Sequence, residues 1–190
     1  MLIYDCEIKK AIQGRKEPRA EGIEYCKGWD DHAGMGISCI TAYDYRERRF
    51  RVFLEDNFDE FQTLVKERLV IGFNSINFDD KLCAANGLEV TTEYDVLVEL
   101  WAAAGLGPKF NYRTHGGFGL DACGSVNFHR NKTGSGANAP VWWQRKLFGR
   151  TIDYCLEDSN LTKMLVDKII EADGLADPRN GNNWLRMRRP

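Results

Sequence analysis

Three short fragments of this sequence carry acidic side chains at spacings that would let them act on one centre. Asp5 and Glu7 stand two apart in MLIYDCEI, an apolar run with the composition of a strand, so both carboxylates project from one face, opposite Tyr4 and Cys6. Carboxylates held this close repel each other unless a cation lies between them, and their hard oxygens suit Mg2+ or Mn2+. Taken alone, the pair also fits a solvated acidic face of an edge strand. In GFNSINFDDKL (72–82), Asp79 and Asp80 follow a brief apolar strand and open a helix, where an acid also serves the helix N-terminus. In YCLED, Tyr154 and Asp158 are i and i+4 and share a helical face that Leu161 and Leu165 continue. An acid in line with buried leucines is costly unless something pairs with it.

The elements that must position these groups follow from local pattern. Residues 1–8 read as the opening strand, and 9–34 as a polar, turn-rich elaborated loop, too long for a hairpin. GISCITAY (36–43) and RFRVFL (49–54) flank the turn-like DYRER and predict an antiparallel hairpin. Phe58, Phe61, Leu64, Val65 and Leu69 have helical spacing over 57–69. A short strand over 70–73 leads into a helix beginning near Asn77 and ended by Asn86-Gly87, and 90–104 repeats the pattern on a smaller scale. A Gly-rich, basic and aromatic loop over 105–119 precedes a mostly helical remainder. The last clear helix spans about 150–172, stops at Asp173-Gly174, and leaves a polar tail over 174–190. The order predicts a single α/β domain, a mixed β-sheet flanked by α-helices.

The chain has 190 residues, 43% of them hydrophobic, enough for one substantial core, and a net charge of −2, which predicts no global attraction to nucleic acid. Any such binding must come from local patches. Six cysteines (Cys6, Cys26, Cys39, Cys83, Cys123, Cys155) form no C-x-x-C pair and predict reduced thiols packed as small hydrophobes. His32, His115 and His129 lack ligand spacing for a structural zinc. With no secretory pattern at the start and no apolar run near the roughly 20 residues that cross a bilayer, the expectation is a soluble, cytoplasmic protein without membrane partners.

Taken in order, the three fragments resemble the three motifs of the DEDD superfamily of 3′-5′ exonucleases, which includes the proofreading domains of DNA polymerases and has a ribonuclease H-like fold. Asp5-Cys6-Glu7 is similar to the first motif, Asn74 with Phe78-Asp79 to an N-x-x-x-F-D second motif, and Tyr154 with Asp158 to the Y-x-x-x-D form of the third. The resemblance implies the tyrosine subclass, since the histidine subclass would need His where Asp153 stands. Tyr94-Asp95-Val96-Leu97 and Phe118-Gly119-Leu120-Asp121 add to it. The 9–34 insertion is longer than a compact member needs, and Asp80 rivals Asp79 as the second-motif acid, with Asp79 favoured.

The resemblance implies two divalent ions, Mg2+ or Mn2+, held by Asp5, Glu7, Asp79 and Asp158. Asp5 would bridge them, Glu7 and Asp158 would complete one site, and Asp79 would hold the other. Tyr154 would orient the attacking water, and nucleoside 5′-monophosphates would leave a free 3′ end. Asn74 and Phe78 would touch the strand. From composition, the segment Lys109–Arg150 adds Lys109, Arg113, Arg130, Lys132, Arg145, Lys146 and Arg150 against the one acid Asp121. It interleaves them with Phe110, Tyr112, Phe118, Phe128, Trp142 and Trp143, a pattern suited to single strands. The same residues also fit tryptophans in the core and solvated lysines. Gly134–Ala139 reads as a mobile loop, and Trp29-Asp30-Asp31 as a solvated turn, with approach to the active-site face as the alternative. DNA is weakly favoured over RNA, and proofreading would require a separate replication or repair partner. A noncatalytic nucleic-acid-binding module and a structure-specific endonuclease are the competing readings.

Overall fold

A computed structural model describes residues 1–14, 18–130 and 136–190. Five strands, β1 (Leu2–Ile8), β2 (Ile37–Asp44), β3 (Arg49–Phe53), β4 (Val70–Gly72) and β5 (Tyr94–Asp95), form one sheet in the order β3-β2-β1-β4-β5. β1–β2 and β2–β3 are antiparallel, and β1–β4 and β4–β5 are parallel. Helices α1 (His32–Met35), α2 (Phe58–Lys66), α3 (Asp79–Ala85), α4 (Val96–Ala103), α5 (Leu120–Phe128), α6 (Ala139–Gln144) and α7 (Phe148–Ala172) flank it. This is the expected mixed α/β sheet, consistent with a ribonuclease H-like fold.

The alternation of β1 decides which layer each residue enters. Leu2, Tyr4, Cys6 and Ile8 pack with Phe61, Leu64 and Val65 of α2 and with Leu82 and Cys83 of α3. Ile3 faces the other way, with Leu161, Leu165, Val166 and Ile169 of α7 and with Trp101 of α4. Asp5 and Glu7 share the parity of Ile3, so the α7 side of β1 is apolar at one end and acidic at the other. All six cysteines are free and buried, as their apolar settings predicted.

β2 and β3 form the predicted hairpin, and its turn is tied into the body. Asp44, fully buried, accepts from the backbone N–H groups of Arg46 (2.8 Å) and Glu47 (3.4 Å) and pairs with the Arg68 guanidinium at 3.3 Å. Burial alone would raise the Asp44 carboxyl, but Arg68 and these N–H groups outweigh it and hold it below the usual carboxylate range. A depressed folded value means the stabilisation is complete above the unfolded value of about 3.9 and is lost as pH falls through the lower folded one. Thermal melts between about pH 3 and 6 should show Asp44→Asn with a flatter acid limb than the wild type. An identical limb would remove Asp44 from the account.

Two regions differ from the sequence-based picture. The polar tail is a hairpin, β6 (Gly174–Asp177) and β7 (Asn180–Arg186), that buries Leu175 and Met187 beside α7 and α4. The reason is an apolar residue on alternate positions of a short strand, a signal that the surrounding Asn and Arg residues dilute. Asp173 ends α7 in the left-handed region (φ 56°), and Gly174 approaches Leu185 so closely that a Cβ there would lie 2.1 Å from its carbonyl oxygen. Arg188 and Arg189 are partly engaged with Glu99 (2.7 Å) and Asp173 (2.6 Å). The described part of the elaborated loop also carries structure of its own. It contains α1 and a bridge between Ala11 and Tyr25, and Asp31 caps α1 through Gly34 N–H (3.2 Å) while accepting from Lys27 N–H (2.8 Å). Among the described residues, no helix is long and apolar enough to cross a membrane.

Candidate metal centre

β4 pairs with β1 only at Leu2 and Ile3, so beyond Ile3 the edge of β1 on that side is open to the chain that follows β4. Gly72 ends β4 in a turn so tight that a Cβ would lie 1.8 Å from the Ser75 hydroxyl oxygen. Asn74 then takes a left-handed conformation (φ 65°), one that Asn tolerates better than most residues. The turn delivers Asp79 as the first residue of α3, and its Oδ1 accepts from the Cys6 N–H at 3.2 Å, the amide between Asp5 and Glu7.

α7 supplies the opposite wall. Thr41, paired with Asp5 across the ladder, donates from Oγ1 to the Cys155 carbonyl (2.9 Å) and shares a hydrogen bond with the Ser159 hydroxyl (2.7 Å). The Ser159 hydroxyl also reaches the Thr41 carbonyl at 3.2 Å. All these atoms are buried, where a polar group stays only when paired. The contact fixes the roll of α7 at the residues flanking Asp158. One carboxylate oxygen from each of Asp5, Glu7 and Asp158 therefore lies within 4.8 Å of the other two. Glu7 and Asp158 are buried and Asp5 is partly so. Three converging hard oxygen donors fit a divalent cation such as Mg2+ or Mn2+.

Asp79 lines the same cavity, of about 440 Å3, together with Tyr154, Asn74 and Phe78. Burial pushes its carboxyl well above the usual range, the Cys83 sulfur adds to this, and the Cys6 N–H opposes it. A cation against that carboxylate would oppose the shift. Asp80 turns elsewhere, accepting from the Thr92 N–H (2.9 Å) and hydroxyl (2.7 Å) and from the Tyr4 hydroxyl. The two acids are thus divided, Asp79 to the cavity and Asp80 to the packing of α3 on β1.

Tyr154 is buried with its ring edge-on to Trp142, centroids 6.3 Å apart. Trp142 is therefore placed behind Tyr154 and not on the cavity wall, and Trp143 packs on Phe148 at 4.6 Å. Lys109 and Arg113 lie exposed in the 104–119 loop, and Arg145 and Lys146 are exposed after α6. None of these four lines the cavity. Of the aromatic residues in that segment, Phe118 is buried beneath the Arg179 guanidinium (4.1 Å), whereas Phe110 and Tyr112 are exposed. His115 is buried, bridging Thr114 and the Gly107 carbonyl, each at 2.8 Å, and so orders the loop. Lys132 and the first part of the Gly134–Ala139 loop lie outside the described residues.

The inserted loop, Gln144 and Asp95 also contribute to the site. The insertion lines the cavity with Ile12, Gln13, Gly14 and Trp29. Its base is held by Gln144, whose amide donates to the carbonyls of Lys9 (2.9 Å) and Glu24 (3.0 Å) and accepts from Glu24 N–H (2.7 Å). No local pattern signals Gln144. Asp95 does carry one, an acid between a strand and a helix. It caps α4 through Leu97 N–H (3.0 Å) and also accepts from Asn74 N–H (2.8 Å) and Ile76 N–H (3.1 Å).

No protein-family model and no curated protein sequence matches the chain. Among solved structures, 39 chains match. One is the family B DNA polymerase from the hyperthermophilic archaeon Pyrobaculum calidifontis, with a TM-score of 0.57 and 18% identity over 89% of this chain. The match covers 24% of the polymerase, so this chain spans about a quarter of its length. At that identity the likeness is one of fold.

Proposed function

We propose that the chain is a metal-dependent 3′-5′ exonuclease acting on nucleic acid with a free 3′ end. The observation that carries this reading is the convergence of Asp5, Glu7 and Asp158 at one end of the sheet, in a cavity that Asp79 and Tyr154 also line. The likeness of fold to part of a DNA polymerase agrees with a nucleic-acid substrate. Asp5, Glu7 and Asp158 would hold one divalent ion, and Asp5 with Asp79 a second. Bound there, the ions supply a nucleophile at neutral pH and relief of the charge that develops on the phosphorus oxygens.

The chain's own groups orient and exclude. Tyr154, whose phenol is a poor base and a good hydrogen-bond partner, aligns the attacking water. The Trp142 ring packs edge-on against the Tyr154 ring. Asn74 and Phe78, on the wall beside Asp79, hold the terminal nucleotide. Lys109, Arg113, Arg145 and Lys146 serve the strand only outside the cavity, as general phosphate attraction.

The test is incubation of 3′- and 5′-labelled single strands of DNA and RNA with Mg2+ or Mn2+. Shortening from the 3′ end with release of 5′-monophosphates is expected. Absence of shortening for both polymers in both metals would overturn the proposal. Cleavage of a circular single strand would replace it with an endonuclease.

A further inference from the structure

We infer that Cys155 is a positioning residue of the metal centre, its buried thiol setting the plane of the Asp5 carboxylate that a cation would meet. The inference rests on the metal-binding part of the reading above and adds a residue that acts through Asp5.

Strand β2 holds this thiol in place. In the β1–β2 ladder Cys39 stands opposite Glu7, and Thr41 opposite Asp5. Both reach Cys155. The Thr41 hydroxyl oxygen lies 2.9 Å from its carbonyl oxygen and 3.2 Å from its sulfur, and the Cys39 thiol hydrogen-bonds with it. The sulfur in turn lies 3.4 Å from the Asp5 carbonyl oxygen and 3.4 Å from Asp5 Oδ2. An ionised carboxylate only accepts, so the thiol is the donor. A closed ring results, from Asp5 across the ladder to Thr41, on to Cys155 and back to Asp5, and Cys155 is fully buried within it.

The chemistry of sulfur suits the place. The terminal torsion of an Asp side chain is soft and roughly two-fold, so the plane of a partly buried carboxylate such as Asp5 depends on what it bonds. A thiol is a weak donor, which orients one oxygen and leaves its charge for a cation. A lysine or arginine in that position would compete with the ion instead. Hydrogen-bond partners that orient a ligating side chain commonly carry about ten- to a hundredfold of metal affinity or activity. Cys155 also stands three residues before Asp158 on α7, so one turn of helix supplies both a ligand and the brace for another.

The test reads metal binding without substrate, from the EPR signal of free Mn2+ as the protein is titrated. Cys155→Ala should raise the Kd for Mn2+ roughly tenfold, and Cys155→Ser, which keeps a donor on a shorter arm, should recover most of the loss. Cys155→Val fills the space and donates nothing, so it should bind like Cys155→Ala and gives the same reading if alanine loosens α7. Cys123→Ala removes an equally buried sulfur, one that donates to the Phe118 carbonyl at 3.5 Å. It should lower the Tm and leave the Kd unchanged. A wild-type Kd in both Cys155→Ala and Cys155→Val would overturn the inference, as would an equal rise in Cys123→Ala. A parallel Mn2+ digestion of a 3′-labelled strand separates the two levels. Mn2+ binding that depends on Cys155, without digestion, overturns hydrolysis alone. Digestion with a Kd indifferent to Cys155 overturns this inference alone, and absence of Mn2+ binding by the wild type overturns both.

Discussion

Replacing Asp5 by alanine is expected to lower metal-dependent shortening of a 3′-labelled strand by roughly a hundred- to a thousandfold or more, because on the proposed reading Asp5 would serve both ions. The same variant should lose a signature that needs no substrate. A ligand that binds only the folded state stabilises it by about 2.7 kcal/mol at a hundredfold excess over its Kd, which for a domain of this size raises Tm by about 5–11 °C. Mn2+ should therefore raise the Tm of the wild type and leave that of Asp5→Ala nearly unchanged. Asp80→Asn supplies the contrast. Its carboxylate is engaged with Thr92 and Tyr4, so the variant should be less stable yet keep its response to Mn2+. An Asp5→Ala protein with an undiminished rate or an undiminished Mn2+ shift would reject the site.

Asp95→Ala should cost the fold about 3–4 kcal/mol, read as a Tm lower by about 6–16 °C. One buried carboxylate accepts from Asn74, Ile76, Leu97 and Val98 N–H groups, at 2.8 to 3.4 Å. Loss of a helix cap alone costs about 1 kcal/mol, and each further donor left without a partner away from water adds to it. Burial raises the Asp95 carboxyl, and those four groups oppose the shift without cancelling it. Asp95→Asn retains one accepting oxygen and should fall between the two. Because the turn from Asn74 to Ile76 leads to Asp79, Asp95→Ala should also weaken activity at temperatures where the protein is still folded. A Tm within about 1 °C of the wild type would remove Asp95 from this role.

The strands, the hairpin and the long C-terminal helix were legible because their cues are local: alternation in residues 2–8, β-branched runs around DYRER, and a 3.6-residue period from Leu161 to Ile169. The parity of Asp5 and Glu7 and the shared face of Tyr154 and Asp158 come from the same periods, and the fold places all four as those periods require. What escaped notice depends on pairings distant in sequence. Thr41 sits in an apolar run that reads simply as a strand, and its bond to Ser159 spans more than a hundred residues. Gln144 belongs to a segment with no period at all, and for Trp29 the same lack of a period left approach to the site and a solvated turn both open. The choice between Asp79 and Asp80 likewise needed the partners of each, because adjacent residues on a helix start share every local cue.

The short span of β4 has a further consequence for how the four acids are mounted. Asp5, Glu7 and Asp158 stand on the longest strand pairing and the longest helix, bolted together through Thr41 and Ser159. Asp79 stands on a separate bracket, reached through a three-residue strand and held by the Asp95 carboxylate, one amide of β1 and the packing of Asp80, Leu82 and Cys83 on β1. Fraying of that bracket takes away one seat and leaves the other three in register, so protection from solvent exchange divides within the site itself. The centre is thus a cup with three of its acids on one mount and the fourth on another.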